Sequence, residues 1–371
     1  MPLRGPRVPV PAAERAFYEA EFAGETIVVA LCDLGDDTLV GLRLASTSLL
    51  RAGAHLVVTI DGAEPDGGWG RFFEVVFGEE PVVLVDPASP VDPDWLAALW
   101  VAIADRRTVV VDADGEPVAQ VAARLAAALR ARKLVLTDPE GGWGDPACSF
   151  ADVAAGDRGF DAALADRQGG LLVPAVEEAL AGGVLSVNLC RPGDLDPELF
   201  TFDGTGTLFT SGGYLRVEPL RVRDLAEVER LVAQGTADGL LRPRTRHEIA
   251  RLAIGGLGAR VLGGEHLAGI VSLDAEPYRA ERMGEVACLY AVSRFSGAGA
   301  GGLLVDALVE RAGAGGLDAV FAVTVSEAAG SFFAAKGFEE VDHDAIPAAK
   351  WRGYDATRRA SARVFRRTTR F

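Results

Sequence analysis

The sequence predicts an α/β protein of two units, the first built on a mostly parallel sheet covered by helices on both faces. Three observations carry this. Short, continuous Val/Ile/Leu runs alternate with Ala/Leu-rich amphipathic stretches through most of the first half, as strands buried on both faces between crossover helices do. At 371 residues the chain is longer than one hydrophobic core ordinarily serves. The pattern then breaks at "TFDGTGTLFTSGGYLRVEPL", rich in Gly and Thr and without helical periodicity, which puts a boundary between about Ser211 and Arg216.

Taken in order, "ETIVVALCDLG" reads as a strand and "DTLVGLRLASTSLLRAG" as a helix stopped by glycine. "HLVVTIDG", "PVVLVDP", "TVVVDADG", "KLVLTDPEGG" and "VLSVNLCRPG" are further strands. "WLAALWVAIADR", "PVAQVAARLAAALRAR" and "LLVPAVEEALAGG" are the helices between them. Beyond the boundary, "VRDLAEVERLVAQGTADGLL" and "RTRHEIARLAIGG" predict two helices, then strands "RVLGG", "HLAGIVSLDAE" and "GEVACLYAV". A glycine stretch, a helix, the strand "DAVFAVTV" and the helix "EAAGSFFAAKG" follow.

Hydrophobic residues make up 49% of the chain and mean hydropathy is +0.19, enough for well-buried cores. No stretch is apolar for the length of a bilayer crossing. The opening "MPLRGPRVPVPAAERAF" has basic residues but no apolar run behind them, so no signal peptide is expected. Cys32, Cys148, Cys190 and Cys288 lie far apart without paired spacing, which predicts free thiols in a reducing, cytoplasmic setting. His55, His247, His266 and His343 show no metal-ligand spacing, and no metal is expected.

Charge is unevenly placed. Residues 1–215 hold 15 Lys+Arg against 33 Asp+Glu (−18) and residues 216–371 hold 22 against 20 (+2), together the net −16. The acidic half argues against nucleic-acid binding. An anionic ligand fits the arginine-rich second half better.

The stretch "RFSGAGAGGLLVDALVERA" sets costly flexible backbone directly ahead of a helical pattern in which Leu304, Leu308 and Ala312 form the buried face. Helix N-termini offer unpaired N–H groups to anions. Gly297, Gly299 and Gly302 also spell G-x-G-x-x-G. Four residues separate them from "LYAV", whereas a dinucleotide-binding turn begins at the strand end. No Gly-Lys-Ser/Thr follows, which excludes a P-loop.

Strand, splay, glycine turn, helix and second strand in this order resemble the acetyl-CoA-binding motif of the GNAT acetyltransferase superfamily. The family's Gln/Arg-x-x-Gly-x-Gly/Ala aligns with Ser296, Gly297, Ala298, Gly299, Ala300 and Gly301, Ser296 standing where the family has Arg or Gln. More specifically, Arg244-Thr245-Arg246, Glu285-Val286-Ala287-Cys288 and the tail Ile346-Pro347, Lys350, Tyr354-Asp355, Arg358-Arg359 resemble the N-acetylglutamate synthase family over about 150 residues. The resemblance implies a GNAT unit with a mixed sheet over residues 216–371. It implies acetyl-CoA as co-substrate, held by Leu289, Ala291, Val292, the 296–301 turn and Gly302. Glu285 is implied as the base, acting through a water, with Thr324 or Ser326 as the acid. Phe333 occupies the position where many GNAT enzymes carry an acid tyrosine. Arg244, Cys288, Lys350 and Arg358 or Arg359 are implied around an L-glutamate substrate. Forked arginine donors suit its two carboxylates. Ala360 replaces the family serine after the double arginine, with Ser361 one place on.

Residues 1–212 resemble the amino-acid kinase fold, an αβα sandwich, through "KLVLTDPEGG", "GGLLVPAVEEALAGGV" and "ELFTFDGTGTLF". Phosphoryl transfer needs cations around the phosphates. Lys133 is the only lysine before residue 215. The family's first-strand K-x-G-G reads Ala30 to Asp33, its H-G-G-G reads Ile60 to Glu64, and its M-x-P-K lysine is Ala175. This unit is therefore read as a kinase fold without kinase activity, used for assembly and, by resemblance, for sensing arginine. A homo-oligomer is implied in the same way. Two rivals stay open: a GNAT enzyme for a different amine, and a non-catalytic regulator that binds arginine or acetyl-CoA.

Overall fold

The computed structural model describes residues 9–61, 68–78, 82–85, 92–105, 108–144, 148–154, 159–261, 266–292 and 299–369. Two compact units emerge, Met1–Tyr214 and Leu215–Phe371.

In the first unit, helices α1 (Ala12–Glu21), α2 (Asp36–Ala52), α3 (Gly68–Val76), α4 (Pro93–Asp105), α5 (Val118–Leu129), α6 (Gly159–Leu164), α7 (Leu172–Ala181) and α8 (Leu195–Phe200) surround one sheet. Its strands are β1 (Thr26–Ala30), β2 (His55–Ile60), β3 (Val82–Val85), β4 (Thr108–Asp112), β5 (Lys133–Thr137), β6 (Phe150–Asp152), β7 (Ser186–Cys190) and β8 (Thr207–Thr210). They lie in the order β3-β4-β2-β1-β5-β7-β8-β6. All neighbours run parallel except β7 and β8. Alternate side chains feed two separate cores. Val28, Val57, Val109 and Leu134 pack with α5 and α7 on one face, and Ile27, Val29, Val58 and Val135 with α2 and α8 on the other. That two-sided burial explains the continuous apolar strands. Where the sequence suggested only a break, Thr207–Thr210 forms the antiparallel strand β8, because its Val/Leu-poor "TLFT" is buried against β7 on all four residues.

The second unit carries a seven-stranded mixed sheet, order β14-β15-β13-β12-β11-β10-β9. The strands are β9 (Leu215–Pro219), β10 (Gly256–Val261), β11 (Leu267–Asp274), β12 (Met283–Ala291), β13 (Ala319–Thr324), β14 (Glu339–Val341) and β15 (Arg363–Thr368). The helices are α9 (Leu225–Ala237), α10 (Arg246–Ile254), α11 (Ala300–Ala314), α12 (Glu327–Ala335) and the short α13 (Ala356–Ala360). Strand β10 starts four residues before the "RVLGG" read from sequence. Glycines hid it: at Gly258 the space a Cβ would need is filled by Leu267 Cδ2, 2.7 Å away. Helix α10 opens on a capping box, Thr245 Oγ1 and the Glu248 carboxylate each satisfying the other's backbone N–H.

Two local features shape the site. Strands β12 and β13 pair in parallel only over Met283↔Ala319, Gly284↔Val320 and Glu285↔Phe321. Beyond Glu285 they part, although both continue. On its other edge, β12 slips register against β11 between Ile270 and Ser272, with Tyr290 and Ala287 as the flanking partners. Two residues of β12, Cys288 and Leu289, thus face one of β11. Cys288 takes the left-handed φ of 54° that such a bulge calls for.

Candidate active site

Glu285 stands at the last paired position before the strands separate. Its carboxylate is held from both sides. Tyr278 Oη donates to Oε2 at 2.8 Å and Lys350 Nζ donates to Oε1. The Glu285 and Lys350 side chains are only 14% and 15% exposed. Tyr278 comes from the 3-10 turn Glu276–Glu281 between β11 and β12, and its ring packs edge-on against Phe321 at 4.9 Å. Burial, then the Glu285 charge, pushes its phenol well above the usual tyrosine range. Tyr278 therefore stays a donor at any physiological pH.

A second carboxylate lies beside the first, since Asp274 is the register partner of Glu285 on β11. Burial and the Glu285 charge raise the Asp274 carboxyl, while Arg251, Lys350 and Arg244 pull it back down. Burial likewise raises the Cys288 thiol, against the opposing pull of Arg244 and Arg242. These linkages bring Arg244, Asp274, Glu285, Cys288 and Lys350 to one locality. The Arg244 Nε is buried without a hydrogen-bond partner among the described residues. A buried donor left unpaired is costly, and an anionic ligand would satisfy it.

Thr324 lies three residues beyond Phe321 on β13, on the far side of the opening from Cys288. Its Oγ1 accepts from Ser326 N at 3.0 Å, and Ser326 Oγ caps α12 by accepting from Ala329 N at 3.3 Å. Both hydroxyl oxygens serve as acceptors in these bonds, leaving each hydroxyl proton to be given elsewhere.

In the tail, Trp351 anchors the segment. Its Nε1 donates to the His343 carbonyl at 3.0 Å and its ring joins the core of Tyr278, Phe321 and Val364. The Arg359 guanidinium sits 4.7 Å over that ring. Arg358 is exposed on α13, and its backbone N–H donates to the capping carboxylate of Asp355 at 2.7 Å. The structure thus gathers Glu285, Cys288, Arg244 and Lys350, and leaves both Arg358 and Arg359 exposed, the latter over the Trp351 ring.

Of the residues expected to hold the cofactor, Ser296, Gly297 and Ala298 lie outside the described residues. Gly299, at φ 77°, is the N-cap of α11, and the helix has no acidic residue in its first turn. Ala300 is buried there. At Gly302 a Cβ would stand 2.6 Å from Lys336 Cε and 2.7 Å from its Nζ. The missing side chain lets a lysine cross the first turn, its ammonium 2.8 Å from Asp306 Oδ2. A helix N-terminus without an acidic residue in its first turn, with the Lys336–Asp306 pair beside it, suits a pyrophosphate. Leu289, Ala291 and Val292 continue β12 along the opening, Val292 fully buried. The fit to an acyl-CoA is therefore good.

No sequence motif points to Tyr278, Asp274 or Arg251. A tyrosine seven residues before the expected base is the one available signal, and only the turn geometry brings it there.

In the first unit, the Lys133 ammonium is held by Ser186 Oγ and Asn188 Oδ1, each at 2.8 Å. Asp138, at the end of β5, is paired with Arg167, whose Nε stands 3.0 Å from Oδ1, and accepts from Gln168 Nε2 at 3.0 Å. Asp33 is turned to its own loop, accepting from Gly35 N at 2.8 Å. Ala175 is buried in α7. Residues 62–64 of the H-G-G-G position lie outside the described residues.

No protein-family model matches the chain. It is 26% identical over 261 residues to an amino-acid acetyltransferase of Neisseria meningitidis serogroup B, covering 68% of this chain and 57% of that protein. To the amino-acid acetyltransferase of Azotobacter vinelandii it is 30% identical over 202 residues, 53% of this chain and 44% of that one. The chain thus spans about half the length of the curated relatives it matches. Among solved structures it is similar to N-acetylglutamate synthase from Neisseria gonorrhoeae, complexed with coenzyme A and L-arginine, with a TM-score of 0.57 and 21% identity over 96% of this chain and 98% of that one. The chain is similar to amino-acid acetyltransferases over part of their length and shares its fold with that N-acetylglutamate synthase structure.

Proposed function

We propose that this protein transfers the acetyl group of acetyl-CoA to the α-amine of an amino acid, with L-glutamate as the acceptor. The observation that carries the reading is a carboxylate, Glu285, where β12 and β13 part, paired with Lys350, with Arg251 and Arg244 acting on its neighbour Asp274. An amino-acid acceptor brings an ammonium that must lose a proton and carboxylates that need cations, and this site offers both partners.

Acetyl-CoA supplies the thioester. Glu285 takes the proton of the acceptor amine, directly or through a water. Backbone N–H groups at the Cys288–Leu289 bulge, out of the regular ladder, steady the negative charge that develops on the carbonyl oxygen. Thr324 or Ser326 returns a proton to the departing thiolate. Arg244, with its unpaired Nε, and Arg359, held on Trp351, are assigned to the acceptor carboxylates, with Cys288 lining the same wall.

The first unit, residues 1–212 in this reading, serves assembly and arginine sensing, and not phosphoryl transfer. Its one lysine is engaged by Ser186 and Asn188, and Asp138 by Arg167. The N. gonorrhoeae relative was crystallised with L-arginine, which supports arginine as the effector. Four free cysteines, and no helix among the described residues long and apolar enough to cross a membrane, accord with a cytoplasmic location. The exposed Trp100 and Val101 on α4 support a homo-oligomer.

The test is thiol release from acetyl-CoA with each amino acid as acceptor. Turnover with glutamate is expected. Turnover only with another amine would move the acceptor, and none at all, with acetyl-CoA still bound, would leave a sensor.

A further inference from the structure

We propose that Lys350 is a lock on Glu285 that the acceptor's own carboxylate opens. The inference rests on the acetyltransferase reading above and assigns Lys350 a change of partner during the cycle.

Neither oxygen of Glu285 is free: Tyr278 holds Oε2 and the Lys350 ammonium holds Oε1. Both oxygens are thus occupied by donors, and an incoming ammonium meets a like charge at Oε1. The two clamps differ in kind. Tyr278 is wedged against Phe321 and buried, so its hydroxyl is fixed. Lys350 has a fixed backbone and a long stem. Its N–H donates to the Pro347 carbonyl at 3.0 Å and its neighbour Trp351 is locked into the core. The ammonium also lies 5.5 Å from the Tyr354 ring, a second resting place for a cation.

An amino-acid acceptor carries the complement of this pair. Its carboxylate takes Lys350 and its ammonium takes the vacated Oε1. The α-ammonium and α-carboxylate carry no net charge between them, so this exchange of partners adds none, and the side-chain carboxylate of glutamate is left to the arginines. Only Tyr278 then remains on Glu285, leaving Oε1 to receive the amine proton. An amine without a carboxylate offers Lys350 nothing and leaves the base locked. The lock thus selects for amino acids at the protonation step as well as at binding. The other charged groups near the pair are Asp274, the register partner of Glu285 on β11, and Arg251 and Arg244, whose charges act on Asp274.

The experiment is the pH dependence of kcat/KM and of kcat, with glutamate, for the wild type, Lys350→Met and Lys350→Arg. The first parameter reports the free enzyme and the second the substrate complex. In Lys350→Met the acid limb of kcat/KM moves up by about one pH unit, the effect of removing an adjacent cation. The acid limb of kcat stays, because in the complex Lys350 has already left. Lys350→Arg, which keeps a cation, restores the kcat/KM limb. If Lys350 only binds substrate, neither limb moves and KM alone rises. If it stays on Glu285 throughout, both limbs move together. Either result overturns the lock while leaving the acetyltransferase reading intact. A wild type that turns over no amino acid overturns both.

Discussion

In the proposed reaction Glu285 is the base, and its two hydrogen-bond partners make separable predictions. Glu285→Gln keeps the shape and removes the base, so kcat with glutamate falls by a factor of about 10² to 10⁴, measured by thiol release. Tyr278→Phe deletes a donor that stays on the carboxylate in both states, so the acid limbs of kcat and kcat/KM both shift upward, unlike the split for Lys350→Met. A pH series on the purified variant distinguishes this positioning role from a packing defect. Cys32 offers a control on the assay itself. Burial first, then Asp33, pushes its thiol up to about 11, so it alkylates with iodoacetamide negligibly at pH 8 and quickly only above about pH 10. Rapid labelling of Cys32 at pH 8 would contradict that burial. At this scale the sequence pointed to Glu285 by resemblance, through its place in "GEVACLYAV", yet it concealed Tyr278, which reaches back through a 3-10 turn closed by left-handed Arg282. Cys288 gave no sign of its positive φ, because left-handed backbone is ordinarily signalled by glycine.

The elements β12, β13 and α11 convert these residues into a site. The succession of strands and the helix that follows were readable from hydrophobic periodicity. The parting of β12 from β13 was not, since it depends on which partners the strands lose after Glu285, and no local pattern records that. The bulge at Cys288–Leu289 was hidden for the same reason. Gly302 ties sequence to function more directly. Replacing it with Val sets methyls against the Lys336 stem and lifts the ammonium from Asp306. Because the obstacle is the far end of a flexible side chain, the fold tolerates the change. The KM for acetyl-CoA then rises about tenfold, equivalent to about 1.4 kcal/mol, while the KM for glutamate stays put. Parallel losses in both would mean the helix start has no special tie to the cofactor.

For the molecule as a whole, charge and lysine content are the most legible features of the chain. A first unit with a net −18 and one lysine is a poor host for nucleotide phosphates, and Lys133 and Asp138 both prove to be engaged by neighbouring side chains. The identity of Asp138's cation was not legible, because Arg167 lies 29 residues away in a turn with left-handed Gln168 and Gly169. The same unit presents Trp100 and Val101 to solvent from α4. Trp100→Glu is expected to lower the particle mass in light scattering if that face joins copies, with acetyl transfer itself retained. An unchanged mass would place any assembly contact elsewhere.

The central claim, that Glu285 serves an amino-acid acetyltransferase, is tested most directly by free-thiol release from acetyl-CoA with L-glutamate, wild type against Glu285→Gln. Turnover in the wild type that collapses in the variant, with acetyl-CoA binding equal in the two by calorimetry, is the predicted result. Equal turnover in both proteins, or none in the wild type with any amino acid, would contradict it.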